Sequence, residues 1–204
     1  MSFSYFIFLL LLKAYDDQIA LYRTWVTPKL ELTSKGELVE IRIRKAELND
    51  VQEIARIHVD SWKSAFHGLM PADYINSFTN ASRIEEWLSA ISMNTESVAV
   101  AESGNKVVGF MSYFVSSENS ETIELSKLYL CPGVYGQRLG SKFLAHLEQE
   151  ANALGIKTIN LYVLDNNEVA IHFYSKHGFE FADGFMSEEF ESSVIIDLLM
   201  VKQL

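Results

Sequence analysis

One segment constrains the fold more than any other. IELSKLYL (Ile123 to Leu130) has the apolar content and β-branched start of a strand, and Pro132-Gly133 ends it. VYGQRLGSKFLAHLEQEA (Val134 to Ala151) then passes through a glycine-bearing turn into apolar residues at helical spacing. That helix is expected from about Gln137 to Leu154, with Gly155 as its left-handed terminator. TINLYVL (Thr158 to Leu164) follows as another strand. Strand, helix, strand requires a crossover, so these two strands should be parallel neighbours.

The flanking pattern fills in the rest. VEIRIRKA (Val39 to Ala46) alternates like a strand with one wet face. Asn49, with Gln52 three residues on, reads as a capping box for a helix to about Phe66. Pro71 opens a short helical turn through Ile75. Another helix is expected from about Ser82, with Ile84, Trp87, Leu88 and Ile91 inward. SVAVA (Ser97 to Ala101) and VVGFMSYFV (Val107 to Val115) flank a Ser-Gly-Asn-Lys turn, a hairpin signal. Asn167 to Gly178 reads as a short helix closed by glycine, and FEFADGF and Ser192 to Val201 as the last strands. The expected fold is α+β: a mixed, mostly antiparallel sheet of six to seven strands flanked by helices. The domain should run over 39–204, after an extension over 1–38.

That extension holds FSYFIFLLLL (Phe3 to Leu12), ten nearly pure apolar residues. A spanning helix needs about 20, and a signal peptide wants basic residues before the run and a small-residue cleavage site after it. A packed accessory helix, a surface anchor and an upstream extension remain open.

Charge and cysteine content narrow the partners. Net charge is −10, and no run of five basic residues occurs, so nucleic acid is not an expected partner. The single cysteine, Cys131, forms no internal disulfide and offers no zinc cluster, which suits a reducing, cytoplasmic setting and no metal.

The turn itself can hold an anion. The first N–H groups of a helix lack internal partners and carry partial positive charge. Gly136 and Gly140 would let main chain approach a phosphate, although glycines at such a turn also serve plain geometry. No G-x-x-x-x-G-K-[ST] and no G-x-G-x-x-G after a first strand is present, which disfavours ATP-type and dinucleotide folds.

YLCPGVYGQRLGSKFL, followed by LYVLDNNEVAIHFYSKHGFE, resembles the GCN5-related N-acetyltransferase (GNAT) family, over roughly Val39 to Val201. The family's first signature is Arg/Gln-x-x-Gly-x-Gly/Ala at the start of the central helix. Here Gly140 fits, while Tyr135 and Arg138 stand where Arg or Gln and Gly are usual. Asn167, Ala170, Tyr174, Gly178 and Phe179 fill its Asn-x-x-Ala-x-x-x-Tyr and Gly-Phe pattern in register. IHVDSWKSAFHGLMPADYI (Ile57 to Ile75) resembles a stretch found in one group of these enzymes, and its aromatic residues could line the acceptor site.

The resemblance implies an acyl-CoA N-acyltransferase fold and transfer of acetyl from acetyl-CoA to an amine. The acceptor would be a small molecule or a peptide, and a homodimer would be common. Main-chain groups of Tyr135, Gly136, Gln137, Arg138, Leu139, Gly140 and Ser141 would hold the pyrophosphate. Leu128, Tyr129 and Leu130 would pair with the pantetheine arm, with the N–H of Tyr129 or Leu130 facing the thioester carbonyl. Asn167 would also bind the arm, as well as or instead of capping its helix. Tyr174, two helical turns on, would be the general acid. An amine titrating near ~10.4 needs a base, for which Glu124 has the family's spacing. Glu121 and Asp60 are secondary candidates, His58 reads as a core histidine, and direct transfer leaves Cys131 no covalent role. A non-catalytic acyl-CoA-binding module is the competing reading, motivated by Tyr135 and Arg138.

Overall fold

The computed structural model describes residues 30–32 and 38–204. Phe3 to Leu12 lie outside the described residues. The chain divides into two units, residues 1–41 and 42–204. In the first, β1 (Leu30–Leu32) runs antiparallel to the start of β2 (Leu38–Lys45), with Leu30 opposite Glu40 and Leu32 opposite Leu38.

The second unit continues β2 from Arg42. One 3-10 turn (Leu48–Asp50) leads into α1 (Val51–Phe66), then α2 (Ala72–Ser77), α3 (Asn80–Met93), β3 (Ser97–Ser103), β4 (Lys106–Val115) and β5 (Thr122–Leu130). After a 3-10 turn at Pro132–Val134 come α4 (Leu139–Ala153), β6 (Thr158–Leu164), α5 (Glu168–Lys176), β7 (Glu180–Phe190) and β8 (Ser193–Gln203). Within this unit the strand order is β2-β3-β4-β5-β6-β8-β7, seven strands. Among the described strand pairings only β5 with β6 is parallel. The expected mixed, mostly antiparallel α+β architecture is the one observed. No helix among the described residues is long and apolar enough to cross a membrane.

The two faces of the sheet bury different helices. Ile54, Ala55 and Ile57 of α1 and Trp87 and Ala90 of α3 pack with Val98, Val100 and Phe110 of the hairpin. On the other face, Phe143 of α4 and Leu130 both close over Gly109, and Phe143 is fully buried. Phe110 and Gly109 are adjacent on β4, so side-chain alternation sends the two helical layers to opposite faces.

Two local expectations change. The cap of α1 is built from Glu47 and Asp50, not from Asn49 and Gln52. The Glu47 N–H donates to Asp50 Oδ2 at 2.8 Å, and Asp50 also accepts a bidentate pair from Arg44 at 2.7 and 2.9 Å. A carboxylate already fixed by a guanidinium is the stronger cap, and Arg44 holds its carboxyl below the usual range. On α3, Thr79 caps Ser82, which starts the helix at Asn80. Leu88 is 49% exposed, and Ala90 takes the inner position with Trp87.

Candidate active site

The site begins where β5 and β6 part. Their pairing runs through Thr122–Thr158, Ile123–Ile159, Glu124–Asn160 and Leu125–Leu161, and stops there. Beyond it β5 stays attached to β4 as far as Leu130 opposite Gly109, and β6 stays attached to β8 as far as Leu164 opposite Asp197. The two strands therefore splay and leave the facing edge of β5 from Ser126 to Leu130 without a strand partner. Ser112 and Tyr113 of β4 face Lys127 and Leu125, so Ser126 is an extra residue on β5, a bulge at the point where β5 swings away.

Ladder parity tells which main-chain groups face the opening. The Cys131 N–H donates to Val108 O at 2.8 Å. In an antiparallel pair such bonds alternate, so Tyr129 and Cys131 bond toward β4, while Leu128 and Leu130 turn N–H and C=O into the opening. The Leu130 carbonyl there accepts from Ser61 Oγ at 2.7 Å.

Two phenols reach the same region. Tyr129 stacks on His58, with centroids 5.0 Å apart and planes at 28°. Its hydroxyl is held protonated by burial and then by the nearby Tyr174. Tyr174, on α5, packs edge-on against Phe173 and Phe179. Burial pushes its phenol up to about 12. Both side chains remain partly exposed, as expected for groups lining a cleft. Glu124 lies one position before the splay, and burial raises its carboxyl, with Glu96 adding and Lys127 opposing.

The other candidates have structural tasks. Asn167 caps α5, its Oδ1 accepting from the Ala170 N–H at 3.2 Å. Glu121 pairs with Lys157, and Asp60 pairs with Arg56 on the exposed side of α1. His58 is 1% exposed and accepts from Trp87 Nε1 at 3.2 Å, which makes it a neutral core histidine. Burial, followed by the charges of Arg83 and Lys127, pushes it down to about 2. Cys131 is a free thiol 3.8 Å from Arg56 Nη2.

The turn after β5 is a partial cradle. Tyr135 and Gln137 donate their N–H groups within the turn, at 3.3 and 3.4 Å. Gly136 and residues 138–141 make no such main-chain bond, and the first turn of α4 has no internal partners for its own N–H groups. A Cβ at Gly136 would meet nothing within 4 Å, so that main chain faces open space. This donor set and the open strand edge fit a diphosphate and its extended arm.

The two departures from the signature have physical explanations. Arg138 adopts φ 58°, ψ 15°. Glycine is favoured at that position because the backbone is left-handed, and arginine there costs about 1–2 kcal/mol. Gly140 has a different reason: a Cβ would lie 2.9 Å from the Phe173 ring. Its missing side chain admits α5, not a phosphate. Ser141 Oγ joins the same seam, bonding His177 Nε2 at 2.8 Å while His177 Nδ1 meets Phe173 O at 2.7 Å. The carbonyl fixes Nδ1 as the donor, so Ser141 donates to Nε2.

An acidic and aromatic region adjoins the opening. Tyr74 bonds Glu188 at 2.6 Å, within a cluster that includes Trp62, Phe66, Phe78 and Phe190. Asp197 is raised by burial, then by Asp165 and Glu188. A cavity of about 450 Å³ lies between residues 68–71, 164–166 and 193–195. Sequence reasoning did not single out Ser61, Asp197 or Glu188. For Ser61 the one available signal was its place three residues after His58 on the inner stripe of α1. Among the described residues no group of three His, Cys, Asp or Glu could hold a metal.

Comparison with known proteins agrees with this geometry. The model of the Acetyltransferase (GNAT) family matches residues 52–179. The uncharacterized N-acetyltransferase YuaI of Bacillus subtilis (strain 168) is 31% identical over 67% of this chain and 79% of its own length. A spermidine N(1)-acetyltransferase of Thermoplasma acidophilum is 26% identical over 76% of this chain and 100% of its own. The crystal structure of PaiA N-acetyltransferase from Thermoplasma acidophilum, in complex with coenzyme A, has a TM-score of 0.65 at 25% identity, covering 80% of this chain and 99% of that one. Splayed strands, a glycine turn and a family match spanning both make this chain a member of the Acetyltransferase (GNAT) family, an acetyl-CoA-dependent N-acetyltransferase acting on amines.

Proposed function

We propose that the chain transfers acetyl directly to a primary amine of a small cationic acceptor or a peptide, at the mouth of the β5–β6 splay and in the cytoplasm. The carrying observation is the end of pairing at Leu125 and Leu161, which leaves main-chain donors of β5 open. Acetyl-CoA supplies the activated acyl group, and the residues supply placement and protons. Gly136 and residues 138–141 hold the diphosphate through N–H groups, and the edge from Leu128 to Leu130 aligns the arm. Between the two residues expected to face the acyl oxygen, parity favours Leu130, because the Tyr129 N–H is directed to β4. Tyr174, kept protonated, donates to the leaving sulfur.

The amine side is acidic, which favours a cationic acceptor. Glu188, Asp197 and Asp165 would attract an ammonium and the aromatic cluster would cover its alkyl chain. Attack needs the neutral amine, and Glu124, with its raised carboxyl, is the base we assign to the inner end of the opening. The spermidine-acetylating relative supports this class. The test is thiol release from acetyl-CoA with spermidine and a panel of monoamines, diamines and peptides. Turnover with cationic amines is expected. Binding of acetyl-CoA with no release across the panel would favour the non-catalytic module. Tyr174→Phe is expected to lower kcat by about 100-fold with CoA affinity retained.

A further inference from the structure

Beyond Leu125, β5 has lost its neighbour on one side, yet its last residues are held firmly. Helix α1 holds them. His58 stacks on Tyr129, Ser61 bonds the Leu130 carbonyl, and Arg56 approaches Cys131, so the last two strand residues and the one after them are touched by one helix. Ser61 is 1% exposed, and the carbonyl is its hydrogen-bond partner.

Residues of an extended strand present N–H and C=O on the same edge. An open Leu130 carbonyl would therefore stand beside the N–H that receives an acyl oxygen. Two acceptor oxygens would compete for the same space, and carbonyls do not donate. In an unbroken parallel sheet β6 would satisfy that carbonyl. Here β6 has turned away, and a side chain from the opposite layer replaces it.

We propose that Ser61 is a positioning residue for acyl transfer: its hydroxyl occupies the Leu130 carbonyl and leaves the Leu130 N–H as that residue's one main-chain group open to the acyl oxygen. This rests on the assignment of Leu130 above and adds a residue outside both family signatures. Losing the hydroxyl frees the carbonyl to repel the acyl oxygen and lets the peptide planes on either side of Leu130 rotate. The bond to the acyl oxygen weakens while the diphosphate contacts, on a different segment, persist.

The test compares Ser61→Ala, Ser61→Thr and Ser61→Cys with the full-length wild type. Turnover is measured with spermidine, affinity by CoA titration, and the carbonyl stretch of bound acetyl-CoA, 13C-labelled at the thioester carbon, by infrared difference spectroscopy. The Ala variant is expected to lose at least 10-fold in kcat, to keep CoA affinity within 2-fold, and to move the carbonyl band upward toward its free position. Thr should restore both readouts, and Cys, a weak donor of similar size, should fall between them. If Ala fails to fold, Cys decides by the same measurements. An unmoved band with kcat within 2-fold, whatever happens to the melting midpoint, overturns the proposal. The infrared comparison needs only binding, so it judges Ser61 even if spermidine is not turned over. Absence of turnover with every amine would instead count against the transfer reading.

Discussion

The two halves of β5 make an instructive contrast. Thr122 to Leu125 pairs with β4 on one side and β6 on the other, and Ile123 and Leu125 are buried at 0% and 4% exposure. Ser126 to Leu130 has the same kind of sequence, yet beyond the bulged Ser126 it pairs with β4 alone, and it is partly exposed throughout. The inner half has a strand neighbour on both sides. The outer half keeps N–H groups for something else, and it is held by helix α1 in place of a strand. Stability is concentrated in the first half and chemistry in the second.

That division can be broken at defined points. Leu130→Pro removes the N–H that faces the opening while leaving the bonds toward β4. We expect kcat to fall by about 100- to 1,000-fold, about 3–4 kcal/mol in transition-state terms, with circular dichroism unchanged. Tyr129→Pro, which removes a ladder bond, should cost stability as well, and equal effects of the two would refute the parity assignment. Leu125→Ala, in the inner half, should destabilise by about 3 kcal/mol in urea unfolding. Leu128→Ala, in the outer half, should cost less than half as much, and a reversed order would erase the contrast.

Smaller effects sharpen it. Gly140→Ala should cost about 2 kcal/mol, because the methyl meets Phe173. Gly136→Ala meets no atom, and its cost should come from the φ of 77° alone. If the Gly140 loss is recovered by Phe173→Leu, packing of α5 is the cause. Finally, His58 tests the clamp on the outer half. Its folded pKa is depressed to about 2 from 6.5, so below pH 6.5 the unfolded chain binds the proton and the folded chain does not. Stability should therefore fall as pH drops below 6.5, by up to about 1.4 kcal/mol per pH unit, and be fully present above it. His58→Gln should be less stable at pH 7 with a shallower slope. An unchanged slope would mean that other groups carry the acid sensitivity.

Much of this was legible in the order of elements. Periodicity placed α1, α4 and strands β2 to β6 and β8 within a few residues, because a helix or strand that buries one face must repeat its apolar residues at that element's period; β1 was not foreseen, and β7 runs on to Phe190, five residues beyond its expected end. Gly155 and Gly178 ended their helices with φ of 71° and 84°, as glycine at those positions implies. The cap at Asp50 was missed because its deciding partner, Arg44, comes from the preceding strand. Leu88 was placed inward because helical periodicity alone does not distinguish a position facing the sheet from one beside it.

The candidate site shows the same boundary at finer scale. From its residues alone, this chain determined that two strands joined by a crossover helix must lie parallel, that a glycine turn precedes that helix, and that Asn167 stands at the start of the helix that carries Tyr174. Those are properties of local geometry and of chain connectivity. Tertiary structure alone decided that β5 and β6 part after Leu125 and Leu161, that Gly140 serves Phe173, and that Ser61 meets the Leu130 carbonyl. Each depends on groups brought together from distant parts of the chain, and the physical reason is that hydrogen-bond partners and close contacts are chosen by three-dimensional packing, on which residue spacing is silent.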